Sequence, residues 1–285
     1  MRLIKYYLYR LRWHLGFLTH LDLEINNTCN HKCRMCWHSE PLNFNLKVMD
    51  YDMACRILRN GRRAGLVSVK FNLRGEPTLH PRLPDIVSYA RSLGYIDLMI
   101  NTHGGRLRQY FLSLRDAGIT TIIVSIGSMD ADSYSKLHNV DASEYYNLHE
   151  GLEFAHNNLG NVKIKLNCHF SKVSNFDFDE LKRYYPKFKI VKRYLESRDG
   201  EDISIARNRV RKKKCPHMHR RLTVHANGEI YPCCMSFRSQ KDIKLGDSIE
   251  QALKSRKVLI NYYAKKDFSA SCKSCPSSDV YSFKK

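Results

Sequence analysis

The chain has 285 residues, 43% hydrophobic and 27% charged, with a formal net charge of +20. That length suffices for one large domain, or for one domain plus a small appendage, around a sizeable core. No apolar run approaches the roughly 18 residues of a membrane span, and no signal peptide with an apolar core and cleavage site is visible, so the cytoplasm is the expected address.

Residues 1–20 open with a basic segment in which Leu3, Ile4, Tyr7, Leu8, Leu11 and Leu15 recur at helical spacing. The pattern predicts an amphipathic helix packed on the body, with attachment to a membrane surface as the alternative. Residues 21–195 then alternate short apolar runs with helical patterns. Strands are expected at 21–26, 66–73, 95–101, 120–126, 162–170 and 188–195, and helices at 50–64, 82–93, 105–117, 130–138, 144–158 and 176–186. Asp50 with Met53 and Asp130 with Ser133 mark helix starts, while Gly65, Gly94 and Gly118 mark stops. Six βα units call for a parallel sheet under helices, and they are too few for a closed eight-stranded barrel. The expected fold is α/β, a partial and open (β/α)6 TIM-like barrel. In such folds chemistry gathers at the C-terminal strand ends. A cysteine loop follows the first strand there, Gly75-Glu76 the second, Asn101-Thr102 the third, and Ser125 the fourth.

Ten cysteines without a secretory context point to metal rather than disulfides. Cys29, Cys33 and Cys36 form a Cys-x3-Cys-x2-Cys loop. Three thiolates can hold three irons of a [4Fe–4S] cluster and leave the fourth open, as chemistry at a cluster requires. Zinc is the alternative, with His31 or His38 as a fourth ligand. Cys55 lies in a helical pattern and reads as core. Cys168, ending the fifth strand, is either a small buried side chain or a weak catalytic candidate at the cavity.

The cysteine loop after a first strand, followed by Arg-Gly-Glu-Pro after the second, resembles the radical S-adenosylmethionine (SAM) superfamily. The resemblance implies that the open iron chelates the amino and carboxylate groups of SAM, whose reductive cleavage yields a 5′-deoxyadenosyl radical. It implies that Trp37 lies near the adenine and that Gly75, Glu76 and Pro77 receive the methionine ammonium. Arg74 stands where relatives often carry a second glycine. Asn101 and Thr102 resemble the family's Thr-Asn-Gly turn, and Ser125 the serine expected near the SAM ribose or carboxylate. His138 occupies roughly the place of a carboxylate-binding arginine, but reads by itself as a surface histidine.

From residue 196 the pattern changes. A polar stretch ends in the basic block Arg207, Arg209, Arg211, Lys212, Lys213 and Lys214, and residues 221–234 read as a hairpin turning at Asn227-Gly228. Cys215, Cys233, Cys272 and Cys275 resemble the cysteine-rich extension of SPASM and twitch enzymes. Only ten residues follow Cys275, so the resemblance implies the short twitch form over 196–285, with one auxiliary [4Fe–4S] cluster; four cysteines also suit structural zinc. The Gly-x4-Cys spacing selects Cys233 over Cys234. Relatives with this extension modify peptides and proteins or oxidise small polyols and amino sugars. The basic charge favours a peptide or protein substrate, and an aminocyclitol dehydrogenase is the runner-up. The molybdopterin-precursor synthases end in Gly-Gly, whereas this chain ends Tyr-Ser-Phe-Lys-Lys. An electron donor such as flavodoxin or ferredoxin is implied. A non-catalytic iron–sulfur module binding nucleic acid is the reading from another class; the basic block has few interleaved aromatics to stack bases.

Overall fold

A computed structural model describes residues 2–36, 38, 45–170, 174–194, 215–234, 241–265 and 269–273. Trp37, Cys275 and the basic block at 207–214 lie outside the described residues.

The alternation of the sequence becomes an α/β sheet whose strands follow one another in chain order. β1 (His20–Leu23), β2 (Ser68–Lys70), β3 (Asp97–Thr102), β4 (Thr121–Ile126), β5 (Lys163–Phe170) and β6 (Lys189–Tyr194) pair parallel to their neighbours. This is the order of an unrolled barrel. The helices between them are α2 (Tyr51–Arg63), α3 (Leu83–Ser92), α4 (Leu107–Asp116), α5 (Ala131–His138), α6 (Ser143–Asn157) and α7 (Phe178–Tyr184). The expected local signals operate. Asp50 accepts hydrogen bonds from the Asp52 and Met53 amides, and Asp130 from that of Ser133 at 2.7 Å.

Strand parity sorts the side chains. Leu98 and Ile100 of β3, Ile122, Val124 and Ile126 of β4, and Ile164, Leu166 and Cys168 of β5 are buried in the core under the helices. The intervening Asn101, Ser125 and His169 line a cavity on the inner face. β1 stops at Leu23, earlier than its apolar pattern suggests. Beyond it the Glu24 carboxylate accepts the Arg74 backbone N–H and guanidinium Nε, and also the Ala226 amide at 3.0 Å.

The C-terminal hairpin does not form a separate sheet. β7 (Arg221–Val224) runs parallel to β1, and β8 (Ile230–Tyr231) returns antiparallel to β7, so the sheet order is β6-β5-β4-β3-β2-β1-β7-β8. Charge on the inner face of β1 anchors this attachment. Arg221 donates to the buried Asp22 at 2.8 Å, and Lys70 lies 3.4 Å from the same carboxylate. Burial would raise the Asp22 pKa, but the Arg221 and Lys70 charges outweigh it and hold the carboxyl well below its usual range. Beyond the hairpin come α9 (Ile249–Ala264) and α10 (Ala270–Lys273), while α8 (Pro216–Arg220) precedes it.

His225, just after β7, is buried and stacked on Tyr231 at 4.3 Å. Burial, then the Arg74 charge, pushes its pKa from 6.5 down to about 4. Above the unfolded value neither state is charged and the effect is flat. As pH falls from 6.5 towards 4 the unfolded chain binds a proton that the folded one refuses, and stability is lost. His225 alone should cost on the order of 2 kcal/mol between about pH 7 and about pH 5. Urea midpoints at both values should therefore fall less in His225→Phe than in the wild type.

α1 (Arg2–His14) forms where the helical spacing places it, but its orientation corrects the expected packing. Ile4, Tyr7, Leu8, Leu11 and Leu15 are exposed. The face that docks is aromatic. Tyr9 is buried near Ser68 and Asp97, Trp13 packs edge-on against His20, and Lys163 lies over Tyr6. These partners mark the N-terminal ends of β1, β2, β3 and β5, so α1 covers the end of the barrel opposite the strand ends that carry the motifs.

Candidate active site

The loop after β1 is fixed at its root by Asn26. Its side-chain oxygen accepts the Thr28 amide at 2.8 Å and the Thr28 hydroxyl at 2.7 Å, and its amide donates to the Glu76 carbonyl at 2.8 Å. The Glu76 amide in turn donates to the Thr28 carbonyl at 2.8 Å. Gly75 is needed where these two strand ends meet. A Cβ there would lie 2.4 Å from the Asn26 carbonyl oxygen and 2.6 Å from that of Thr28. The sequence suggests that this glycine admits a ligand; in the structure it admits the cysteine loop itself.

Glu76 is buried and caps a 3-10 turn over Pro77–Leu79, whose first residue, Pro77, has no N–H to leave unpaired. Its Oε1 accepts three hydrogen bonds, from the Thr78 amide at 3.1 Å, the Thr78 hydroxyl at 2.7 Å and the Thr102 hydroxyl at 2.7 Å. Its Oε2 accepts the His103 amide at 3.0 Å, while His103 Nε2 stands 3.6 Å away. Oε1 is saturated, and Oε2 keeps acceptor capacity for a further donor. Thr102 thus serves as a buttress for Glu76. Asn101, one residue earlier, turns into the cavity, and its buried Oδ1 has no hydrogen-bond partner among the described residues.

Cys29, Cys33 and Cys36 line one cavity of about 330 Å³ together with Glu76, Asn101, Ser125, His169 and Arg193. Burial pushes the Cys29 thiol up to about 12 and the Cys33 thiol well above its ordinary value, so both are protonated until a metal takes the proton's place.

Behind the loop lies a group of histidines that sequence patterns did not assemble. His31 stacks on His103 with ring centroids 3.6 Å apart, and its Nε2 lies 3.1 Å from Glu144. His138 is buried, against the expectation of a surface histidine. It stacks on Tyr134 at 4.2 Å and brings Nδ1 to 3.1 Å from Cys33 Sγ. Burial lowers the His31 pKa to about 4 and that of His138 to about 3, so both rings are neutral. Ligand atoms of His31, Cys33 and His138 lie within 4.8 Å of one another, as do those of His31, His103 and Glu144. The sequence singled out His31, as an alternative zinc ligand, and His138, at the place of a carboxylate-binding arginine, but nothing in it brought the two together.

Cys168 is not at the cavity. It lies beside Ile126 in the helix-facing core, fully buried, and burial pushes its thiol up to about 12; the catalytic candidate is withdrawn. Cys55 is a buried residue of α2, as expected.

The C-terminal cysteines fall on separate elements. Cys215 caps α8, Cys233 follows β8, and Cys272 lies on α10. Because β8 returns antiparallel to β7, the turn at Cys233-Cys234 comes back towards α8. There Arg221 donates to Cys234 Sγ at 3.3 Å.

Three thiols and a hydrogen-bonded carboxylate at the mouth of an open α/β barrel define an enzyme built around a metal cluster and a small polar cofactor. Residues 23–171 match the radical SAM superfamily, and residues 215–276 match an iron–sulfur cluster-binding domain, SPASM. The chain belongs to the radical SAM superfamily. Its cofactors are S-adenosylmethionine and [4Fe–4S] clusters. GTP 3′,8-cyclase of Acidothermus cellulolyticus is 28% identical over 190 residues, covering 64% of this chain and 52% of the relative. This chain therefore spans about half the length of the curated relatives it matches. Streptococcus suis SuiB bound to the precursor peptide SuiA shares the fold with a TM-score of 0.60 at 16% identity, over 95% of this chain and 73% of SuiB. BtrN in complex with AdoMet and 2-DOIA does so with a TM-score of 0.57 at 15% identity, over 90% and 88%. No helix among the described residues is long and apolar enough to cross a membrane.

Proposed function

We propose that Cys29, Cys33 and Cys36 hold the catalytic [4Fe–4S] cluster, that Glu76 receives the SAM ammonium, and that the enzyme abstracts hydrogen from a peptide or protein. The observation that carries this reading is the meeting of three thiols and the fully braced Glu76 in one cavity. Bound there, the reduced cluster and SAM would supply the radical chemistry that removes a substrate hydrogen atom. The chain's own part is positioning. Glu76 Oε2 faces the cationic group, and Thr78, Thr102 and His103 prevent the carboxylate from turning. Asn101 Oδ1 and Ser125 offer polar contacts to the rest of the nucleoside. Cys215, Cys233, Cys272 and Cys275 hold an auxiliary [4Fe–4S] cluster that accepts an electron or anchors the substrate, and a flavodoxin or ferredoxin supplies the reducing electron. The peptide preference rests on the net charge of +20.

Glu76→Gln should weaken SAM binding by about one to two powers of ten, because a charge-assisted hydrogen bond contributes about 1.5–3 kcal/mol. Iron content should stay intact. Unchanged affinity in a titration would remove Glu76 from the site. The substrate class is tested with short peptides encoded beside the gene. A peptide that stimulates 5′-deoxyadenosine formation and loses hydrogen by mass supports the reading. Stimulation by GTP or by an amino sugar instead would replace it.

A further inference from the structure

We propose that α1 is an in-plane anchor that docks the enzyme on a membrane surface rich in anionic lipid. The helix has its two faces the unexpected way round. Tyr6, Tyr9 and Trp13 turn towards the barrel, while Ile4, Tyr7, Leu8, Leu11 and Leu15 stand out from it, exposed by 65%, 70%, 55%, 55% and 65%. On a helical projection these five cover an arc of about 100°, the width of a stripe that is normally buried. Phe17, beyond the helix end and beside Arg12, is 53% exposed.

Charge selects the occupant. Arg2, Lys5, Arg10 and Arg12 fall within this segment, and no acidic residue precedes Asp22. The exposed Arg10 and Arg12 lie on opposite flanks of the apolar stripe. An aliphatic ridge between cationic flanks, with aromatic Tyr7 and Phe17 at its margins, matches the boundary between acyl chains and anionic headgroups. A second copy of the chain would set these cations against their own kind, in a protein already carrying +20. The placement also leaves the enzyme usable while bound. α1 covers the N-terminal ends of the strands, so the cavity at their C-terminal ends faces away from the lipid.

The test is vesicle flotation of the full, reconstituted chain. Phosphatidylcholine vesicles carrying one quarter phosphatidylglycerol should bind it at least about tenfold more tightly than pure phosphatidylcholine, since each basic residue near such a surface contributes several-fold. Salt that shortens the Debye length to about 3 Å should erase the difference. The double variant Leu8→Asp, Leu11→Asp should lose at least about tenfold in binding while cleaving SAM at the wild-type rate, because both positions are already in water. Arg10→Glu with Arg12→Glu should abolish the preference for anionic vesicles, which separates charge from apolar contact. Equal or absent binding to both vesicles overturns the proposal, as does undiminished binding by the double Asp variant. A wild-type dimer that this variant turns into a monomer, without vesicle binding by either, would assign the face to self-association instead.

Discussion

Replacing Cys33 by Ala should abolish formation of 5′-deoxyadenosine from SAM in anaerobically reconstituted protein given a strong reductant. The wild type should form it, slowly, even without substrate. Cys33 is the middle cysteine of the loop in sequence, half-buried, with its Sγ 3.1 Å from His138 Nδ1. Two remaining thiols leave a second iron without a protein ligand, and a [4Fe–4S] cluster that needs three thiolates does not persist at the site. The fold should survive, because the root of the loop is held by Asn26, Thr28 and Gly75 rather than by Cys33. Loss of about four irons, those of the loop cluster, with the C-terminal set retained and an unchanged far-ultraviolet circular dichroism spectrum, is thus the expected pair of results. A brown wild-type protein that binds SAM and never releases 5′-deoxyadenosine would sink the proposed chemistry.

The second large effect concerns the C-terminal cysteines. A Cys29/Cys33/Cys36→Ala variant retains only that set and should still contain about four irons and four sulfides, with a Mössbauer signature of a cubane. Adding Cys233→Ala should remove them, whereas Cys234→Ala should leave them in place. The structure gives a physical reason for the distinction, since the Cys234 sulfur accepts a hydrogen bond from Arg221, which is itself tied to Asp22 inside the barrel. Turning Cys234 outward would cost the Arg221 contact. One equivalent of zinc without sulfide in the triple variant would refute the auxiliary cluster. Survival after Cys233→Ala but loss after Cys234→Ala would reverse the choice between neighbours.

The sequence by itself determined the six parallel strands and the six helices between them to within a few residues, because their signals are local. Apolar runs alternate with helical spacing, Asp50 and Asp130 cap helices through amides two or three residues away, and glycines stop α2, α3 and α4. It also determined which strand end carries each motif, and hence that the cysteine loop and Glu76 share one face of the sheet. The tertiary structure decided what depends on contacts distant in the chain. Periodicity shows that α1 has an apolar stripe, but the aromatic side found the complementary partners at the barrel end, and the aliphatic side was left out. Asn167 and Cys168 are adjacent, yet the alternation of a strand sends one inward and the other to the core, and only the observed register says which. His138 became a buried neighbour of Cys33 through a contact spanning 105 residues, and Glu24, which also holds Arg74 after β2, reaches the hairpin through one spanning 202. Buried polar groups must find partners wherever the chain brings them, since burying them unpaired is costly. Local pattern carries no record of those pairings until the fold has formed.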